Sequence, residues 1–199
     1  MKELNDYSGP LKPDIRFEDF SKEALIRLLY AYTAAYAQAA GYFINIIRER
    51  HGEDESWRSL VEFWMRMGPP ANLLVCQALN IQPKDVESWF KSLQLDPGYP
   101  PNLFGAFGEE YRATSHMELK DKNHGTFTLE RCLALEAAEQ VGKERVIQIC
   151  HGIEYPTYTN TPRVTHNPNM KSRPLKLAPR KSADETPACK WEWWIEEGE

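Results

Sequence analysis

The hydrophobic pattern changes period near residue 97. Before it, apolar positions recur at helical spacing; after it, they begin by alternating. Ser21-Lys22-Glu23-Ala24 predicts a helix start, with Ser21 as cap, and Arg48-Glu49-Arg50-His51-Gly52 predicts its end. Leu25, Leu28, Leu29, Tyr32, Tyr36, Ala39, Phe43, Ile46 and Ile47 give this helix a wide apolar face, and Ala34, Ala35, Ala39, Ala40 and Gly41 keep its middle slender. A second helix is expected over Glu53 to Met67, with acidic residues at its positive end and Trp57, Leu60, Val61, Trp64 and Met65 inward. Pro69-Pro70 is expected to stop it, and Ala71 to Leu79 to form a third helix, with Cys76 as a small core residue. Pro83-Lys84-Asp85-Val86 opens a fourth, burying Val86, Trp89, Phe90 and Leu93. Asp96 to Pro101 reads as a linker.

Beyond the linker, Tyr111 to Lys120 alternates: Tyr111, Ala113, Ser115, Met117 and Leu119 on one face, Arg112, Thr114, His116, Glu118 and Lys120 on the other. Asp121 to Gly125 predicts a hairpin loop in which Gly125 supplies positive φ, and Thr126 to Arg131 the returning strand with Phe127 and Leu129 inward. A short helix from Cys132 breaks at Gly142, and a second, Lys143 to Cys150, points Val146, Ile147 and Cys150 inward. Tyr155 to Asn169, rich in Pro, Thr and Asn, reads as an ordered loop, Arg173 to Leu177 as a strand, and Pro179 to Pro187 as a polar turn. The closing strand, Cys189 to Ile195, sets Cys189, Trp191 and Trp193 against Lys190, Glu192 and Trp194. The expected fold is α+β. One domain would comprise a helical half, 1–97, packed on an antiparallel sheet of about four strands within 98–199.

Composition narrows the function classes. The 199 residues suffice for one domain with a full core, and a net charge of −5 argues against nucleic acid as a partner, since phosphate binding needs a basic surface. The basic run Lys171 to Lys181 is assigned to a strand and turn. The polar start Met1-Lys2-Glu3-Leu4-Asn5-Asp6 does not resemble a signal peptide, and Thr33, Gln38 and Asn45 interrupt the most apolar stretch. A cytoplasmic protein without a membrane partner is expected. Its four widely spaced cysteines would then be thiols with metal, catalytic or buried roles.

Three constellations could carry chemistry. Cys132, Cys150 and Cys189 sit where elements of the mixed half meet. With His151 or His116 as fourth ligand they would close a zinc site, against the simpler reading of buried thiols. His116 and Glu118, two apart on one strand face, could act as general base and orienting carboxylate, or be solvent-side residues. Cys132 follows a strand and begins a helix beside Arg131, a placement that favours a thiolate nucleophile.

The mixed half resembles the aminothiazoline-carboxylate-hydrolase-like proteins, a large bacterial group. The likeness lies in Phe127-Thr128-Leu129-Glu130-Arg131-Cys132, Glu136, Gly142, Ile149-Cys150, Asn167-Pro168 and Ala188-Cys189-Lys190-Trp191-Glu192-Trp193. The helical half, through Ser8 to Asp14 and Glu18 to Leu25, is similar to one branch of that group. This resemblance implies hydrolysis of a small sulfur- and nitrogen-containing ring. The order of elements is also similar to the 4-vinyl-reductase-type ligand-binding domain. That likeness implies small aromatic or hydrocarbon ligands, and a structural zinc on three cysteines and a glutamate, with Cys150 and Cys189 on two of those positions. The family's Glu and Cys ahead of the last strand have no counterpart in Arg173-Pro174-Leu175-Lys176-Leu177-Ala178.

Three functions follow as expectations. The first is a small-molecule hydrolase or lyase using Cys132, His116 and Glu118. The second is a ligand-binding module with a pocket between the long helix and the sheet, lined by Tyr32, Tyr36, Trp57 and Trp64. The third is a homodimeric interaction protein joined along the tryptophan-rich last strand.

Overall fold

The two long helices expected from the N-terminal periodicity pack against each other in a computed structural model that describes residues 3–99 and 115–196. Helix α1 spans Lys22–His51, with the Ser21 hydroxyl accepting from the Ala24 N–H at 3.2 Å. Gly52, at φ +87°, ends it and leads directly into α2, Glu53–Ala78; positive φ explains a glycine there. The packed face of α1 is narrower than its pattern suggests. Thr33, Ala40 and Ile44 are buried, whereas Leu29, Tyr32, Phe43 and Ile46 stay exposed.

Helix α2 corrects the expectation of two helices, because it runs unbroken through Pro69-Pro70. The prolines remove two N–H donors, but burial of Ala71, Asn72 and Cys76 just beyond them holds the helix together, and tertiary packing outweighs local propensity. Helix α3, Val86–Leu93, starts in a reciprocal cap: Asp85 Oδ1 accepts from the Ser88 N–H at 2.9 Å, and Ser88 Oγ accepts from the Asp85 N–H at 3.0 Å.

Strands β1 (Ser115–Asp121), β2 (His124–Leu129), β3 (Met170–Lys176) and β4 (Cys189–Ile195) form an antiparallel sheet in the order β1-β2-β4-β3. The expected strand residues Tyr111 to Thr114, and the Pro100-Pro101 end of the linker, lie outside the described residues. One sheet face carries Phe127, Leu129, Trp191 and Trp193, all buried against Trp89, Phe90 and Tyr158 of the helices. The opposite face carries Glu192, bonded to His124 at 2.8 Å and to Arg173 at 2.7 Å. Strand β4 lies between β2 and β3 and is not an edge, so Trp191 and Trp193 form core instead of the exposed dimer seam expected from sequence.

Gly125 serves packing, not turn geometry. It lies within β2 and lacks positive φ, but a Cβ there would stand 2.7 Å from a Phe90 ring carbon and 2.8 Å from the Glu118 carbonyl oxygen. Gly125→Ala should therefore lower stability by about 1–3 kcal/mol, read as a shifted urea midpoint at constant slope.

After β2 come α4 (Leu133–Val141), a break at Gly142, α5 (Lys143–Ile149), a π-helical turn (Cys150–Glu154) and α6 (Tyr155–Thr165). Val146 and Cys150 point inward as expected, but Ile147 is exposed. Helix α6 replaces the expected loop. Pro156 occupies its first turn, and the Thr159 and Thr165 hydroxyls donate back to the carbonyls of Tyr155 and Thr161. Burial of Tyr158, Thr161, Pro162 and Thr165 overrides their poor helix propensity. His166 follows, sharing hydrogen bonds with Thr165 Oγ1 at 2.7 Å and Ser92 Oγ at 3.2 Å. Burial pulls its pKa down to about 4, so it is a neutral core residue.

Candidate functional site

A cavity of about 220 Å³ opens where α1 and α2 meet α3, α6 and the π turn. Small residues make the space: Gly68 and Ala71 on α2, and Ala134 on α4, withdraw their side chains from its wall. Six aromatic residues share the rest with aliphatic and a few polar side chains. Tyr36 and Trp64 meet edge to face at 5.9 Å, while Trp57, Trp89, Tyr99 and Tyr158 complete the ring-lined surface. Trp57 is braced from behind, since Glu53 accepts from its indole N–H at 2.9 Å and Arg145 stands 4.1 Å from its ring centre.

Few polar groups reach this wall. Asp96 accepts from the Gly98 N–H at 2.7 Å, and its carboxyl is raised above the ordinary range by burial, against the pull of that bond and of Asn72. Burial, then the charge of Asp96, pushes the Tyr36 hydroxyl up to about 12. Tyr99 donates to Ser115 Oγ at 2.6 Å. Thr157 and Thr161, one turn apart on α6, each hold a buried hydroxyl with no hydrogen-bond partner, and the Trp89 indole N–H is likewise unpaired. Unsatisfied buried polar atoms are uncommon, and three belonging to the residues around one void mark it as distinct from ordinary packing.

The second part of the site adjoins the first through Ala134, Ile149, Glu154 and Tyr158. It is a void of about 30 Å³, the size for a water molecule, into which Cys132, Cys150, Cys189 and Glu154 converge. The chain brings them from three places: Cys132 at the start of α4, Cys150 and Glu154 at the two ends of the π turn, and Cys189 at the start of β4.

Electrostatically this corner opposes ionisation. Burial pushes Cys132 up to about 12 despite the helpful N–H groups of Leu135 and Ala134, with nearby acidic charge adding to the effect. Cys150 also rises to about 12, and Cys189 rises well above the ordinary thiol value, burial leading in both. Burial alone raises Glu154 to about 7. Among the described residues, no hydrogen bond or ion pair reaches its carboxyl.

These positions revise the sequence reading residue by residue. The helix start that would activate Cys132 is real, but desolvation outweighs it, and Arg131 clasps Glu136 through bonds of 2.6 and 2.9 Å. His116 and Glu118 stand exposed on β1 and line neither void. Tyr36, Trp57 and Trp64 line the larger cavity; Tyr32, 57% exposed, does not. His151 shares a 2.6 Å hydrogen bond with the Ala178 carbonyl and lies outside the thiol corner, where Glu154 takes the place expected for it. Glu154 and Asp96 complete the site without a motif in the sequence to mark them. Their one visible signal was isolation, each an acidic residue beside apolar positions.

The donors in the corner are of the kind zinc uses. Among the described residues, however, no group of three or more His, Cys, Asp or Glu side chains is arranged to hold a metal ion. The thiols line a void, and the zinc set that the sequence offered as an alternative to buried thiols is not formed among the described residues. Also among the described residues, no helix is long and apolar enough to cross a membrane. Comparison of the chain with protein-family models, with curated proteins and with solved structures gives no match.

Proposed function

We propose that this protein binds a small, mainly apolar molecule in the aromatic cavity between the helical pair and the core. The observation that carries this reading is a ring-lined cavity whose surrounding residues retain unpaired buried polar groups. Protein interiors are otherwise close-packed, and a void of this size removes dispersion contacts unless something fills it. A dry cavity of about 150 Å³ holds benzene, so about 220 Å³ suits one ring with a short side chain. The resemblance to the 4-vinyl-reductase-type ligand-binding domain points the same way.

Trp57, Trp64 and Trp89 line the cavity, so binding should be visible in tryptophan emission. Titration with single-ring compounds is expected to give a saturable, one-site change. Ala71→Leu, which puts three more carbons into the void, should abolish that change while the protein stays folded. A signal that is linear in ligand, or identical in Ala71→Leu, would contradict the proposal.

A second reading, that the protein is a hydrolase or lyase acting on the bound molecule, is favoured by Glu154. Its carboxyl fronts both voids and titrates near neutrality, where a group can both give and take a proton. On this reading Glu154 is the acid–base group, and Cys132 is a neutral thiol beside it.

A further inference from the structure

We infer that the molecule taken by the aromatic cavity is an organic cation, a protonated amine on a compact aromatic or aliphatic body. The inference rests on the binding function proposed above and adds the charge of the ligand.

The cavity wall is one-sided in charge. Asp96 and Glu154 both line it, and among the described residues no Lys, Arg or His does. Arg145, which stands over the Trp57 ring, is already committed to Glu53 at 2.8 Å. An anionic ligand would therefore meet two carboxyl groups and, among the described residues of the wall, no counter-charge. A neutral ligand would leave Glu154 without a partner, as it stands now among the described residues. A cation supplies what the wall lacks.

The remaining groups suit an ammonium. The unpaired hydroxyl oxygens of Thr157 and Thr161 can accept from N–H, and Asp96 and Glu154 can accept charge-assisted bonds. Six aromatic side chains, Tyr36, Trp57, Trp64, Trp89, Tyr99 and Tyr158, surround the same space, and desolvated ring faces attract cations. Burial holds both carboxyl groups toward their neutral forms, and an entering positive charge would reverse that bias.

A matched pair of probes tests this, 2-phenylethylamine against the neutral 2-phenylethanol, each titrated at neutral pH while tryptophan emission is followed. The full-length protein should bind the amine about tenfold tighter or better, a difference that one desolvated charge pair supplies. In Asp96→Asn and Glu154→Gln the preference for the amine should collapse toward parity. If the alcohol binds as well as the amine to the unmodified protein, the ligand's charge is wrongly assigned and the cavity remains a binding site. If neither probe binds at millimolar concentration, the binding function fails together with the inference. The unmodified protein alone distinguishes these outcomes, so the test stands even if a variant does not fold.

Discussion

Trp193→Ala should cost about 3–5 kcal/mol of folding stability, the range for removing a fully buried indole. Trp193 is 0% exposed on the central strand β4. Its ring packs on Trp191 at 5.9 Å, Phe90 at 5.7 Å, Tyr158 at 5.9 Å, Trp89 at 6.3 Å and Phe127 at 6.5 Å. Its indole N–H also donates to the Tyr158 carbonyl at 3.1 Å, so truncation removes that bond along with the packing. Trp194 is the internal control. It lies on the opposite sheet face, under Arg173, and Trp194→Ala should cost under about 1 kcal/mol. Urea midpoints measured at constant slope would show the contrast. A larger loss at Trp194 than at Trp193 would mean that the sheet face is assigned the wrong way round, and equal losses would mean that burial does not separate the two.

Glu154→Gln should change the pH dependence of stability by about 3 kcal/mol. The folded pKa of Glu154 is raised, from an ordinary 4.5 to about 7, so the folded state binds the extra proton. The resulting stability is complete below pH 4.5 and is lost as pH rises through 7; a shift of this size corresponds to about 3 kcal/mol. The variant and the unmodified protein should therefore change differently between pH 4.5 and pH 8, the variant gaining on the unmodified protein as pH rises. The groups facing Glu154, Cys132, Cys150, Cys189 and Tyr158, are all raised far enough to stay neutral across that window. His166 acts in the opposite sense. Its pKa is lowered, so it withdraws stability as pH falls from 6.5 to about 4, but it does so in both proteins and cancels in the difference. Paired thermal or urea melts at the two pH values would decide it, and parallel curves would show that Glu154 is not held neutral. The same variant separates the two functional readings: lost turnover with retained binding identifies catalysis, whereas unchanged behaviour toward a neutral ligand leaves binding alone.

What was legible in the sequence was what short-range pattern controls. The alternation of Phe127 and Leu129, and of Trp191 and Trp193, marked the buried sheet face, and Ser21 and Gly52 marked the ends of α1. Aromatic residues at helical spacing brought Tyr36, Trp57 and Trp64 into the reading as cavity residues, and the structure puts all three in its wall. Tyr32 shared their period but lies a turn beyond the cavity. The misreadings came from quantities that need the whole fold. Helix α2 passes Pro69-Pro70, and α6 forms from Thr, Asn and Pro, because long-range burial outweighs local preference. Cys132 has the local setting of a reactive thiol, and desolvation reverses its sign. Glu154 had only a faint local signature, an isolated acidic residue between Ile153 and Tyr155. Its importance comes from being carried by a π turn into a corner shared with three cysteines.

The most direct test of ligand binding in the aromatic cavity is native mass spectrometry of the unmodified protein beside Ala71→Leu, each exposed to 2-phenylethylamine and to single-ring neutral compounds. A one-to-one adduct is expected in the unmodified protein, either retained from isolation or formed on exposure, and none in the variant with the filled cavity. Unmodified protein that stays unliganded throughout, or equal adducts in both proteins, would contradict binding in the cavity.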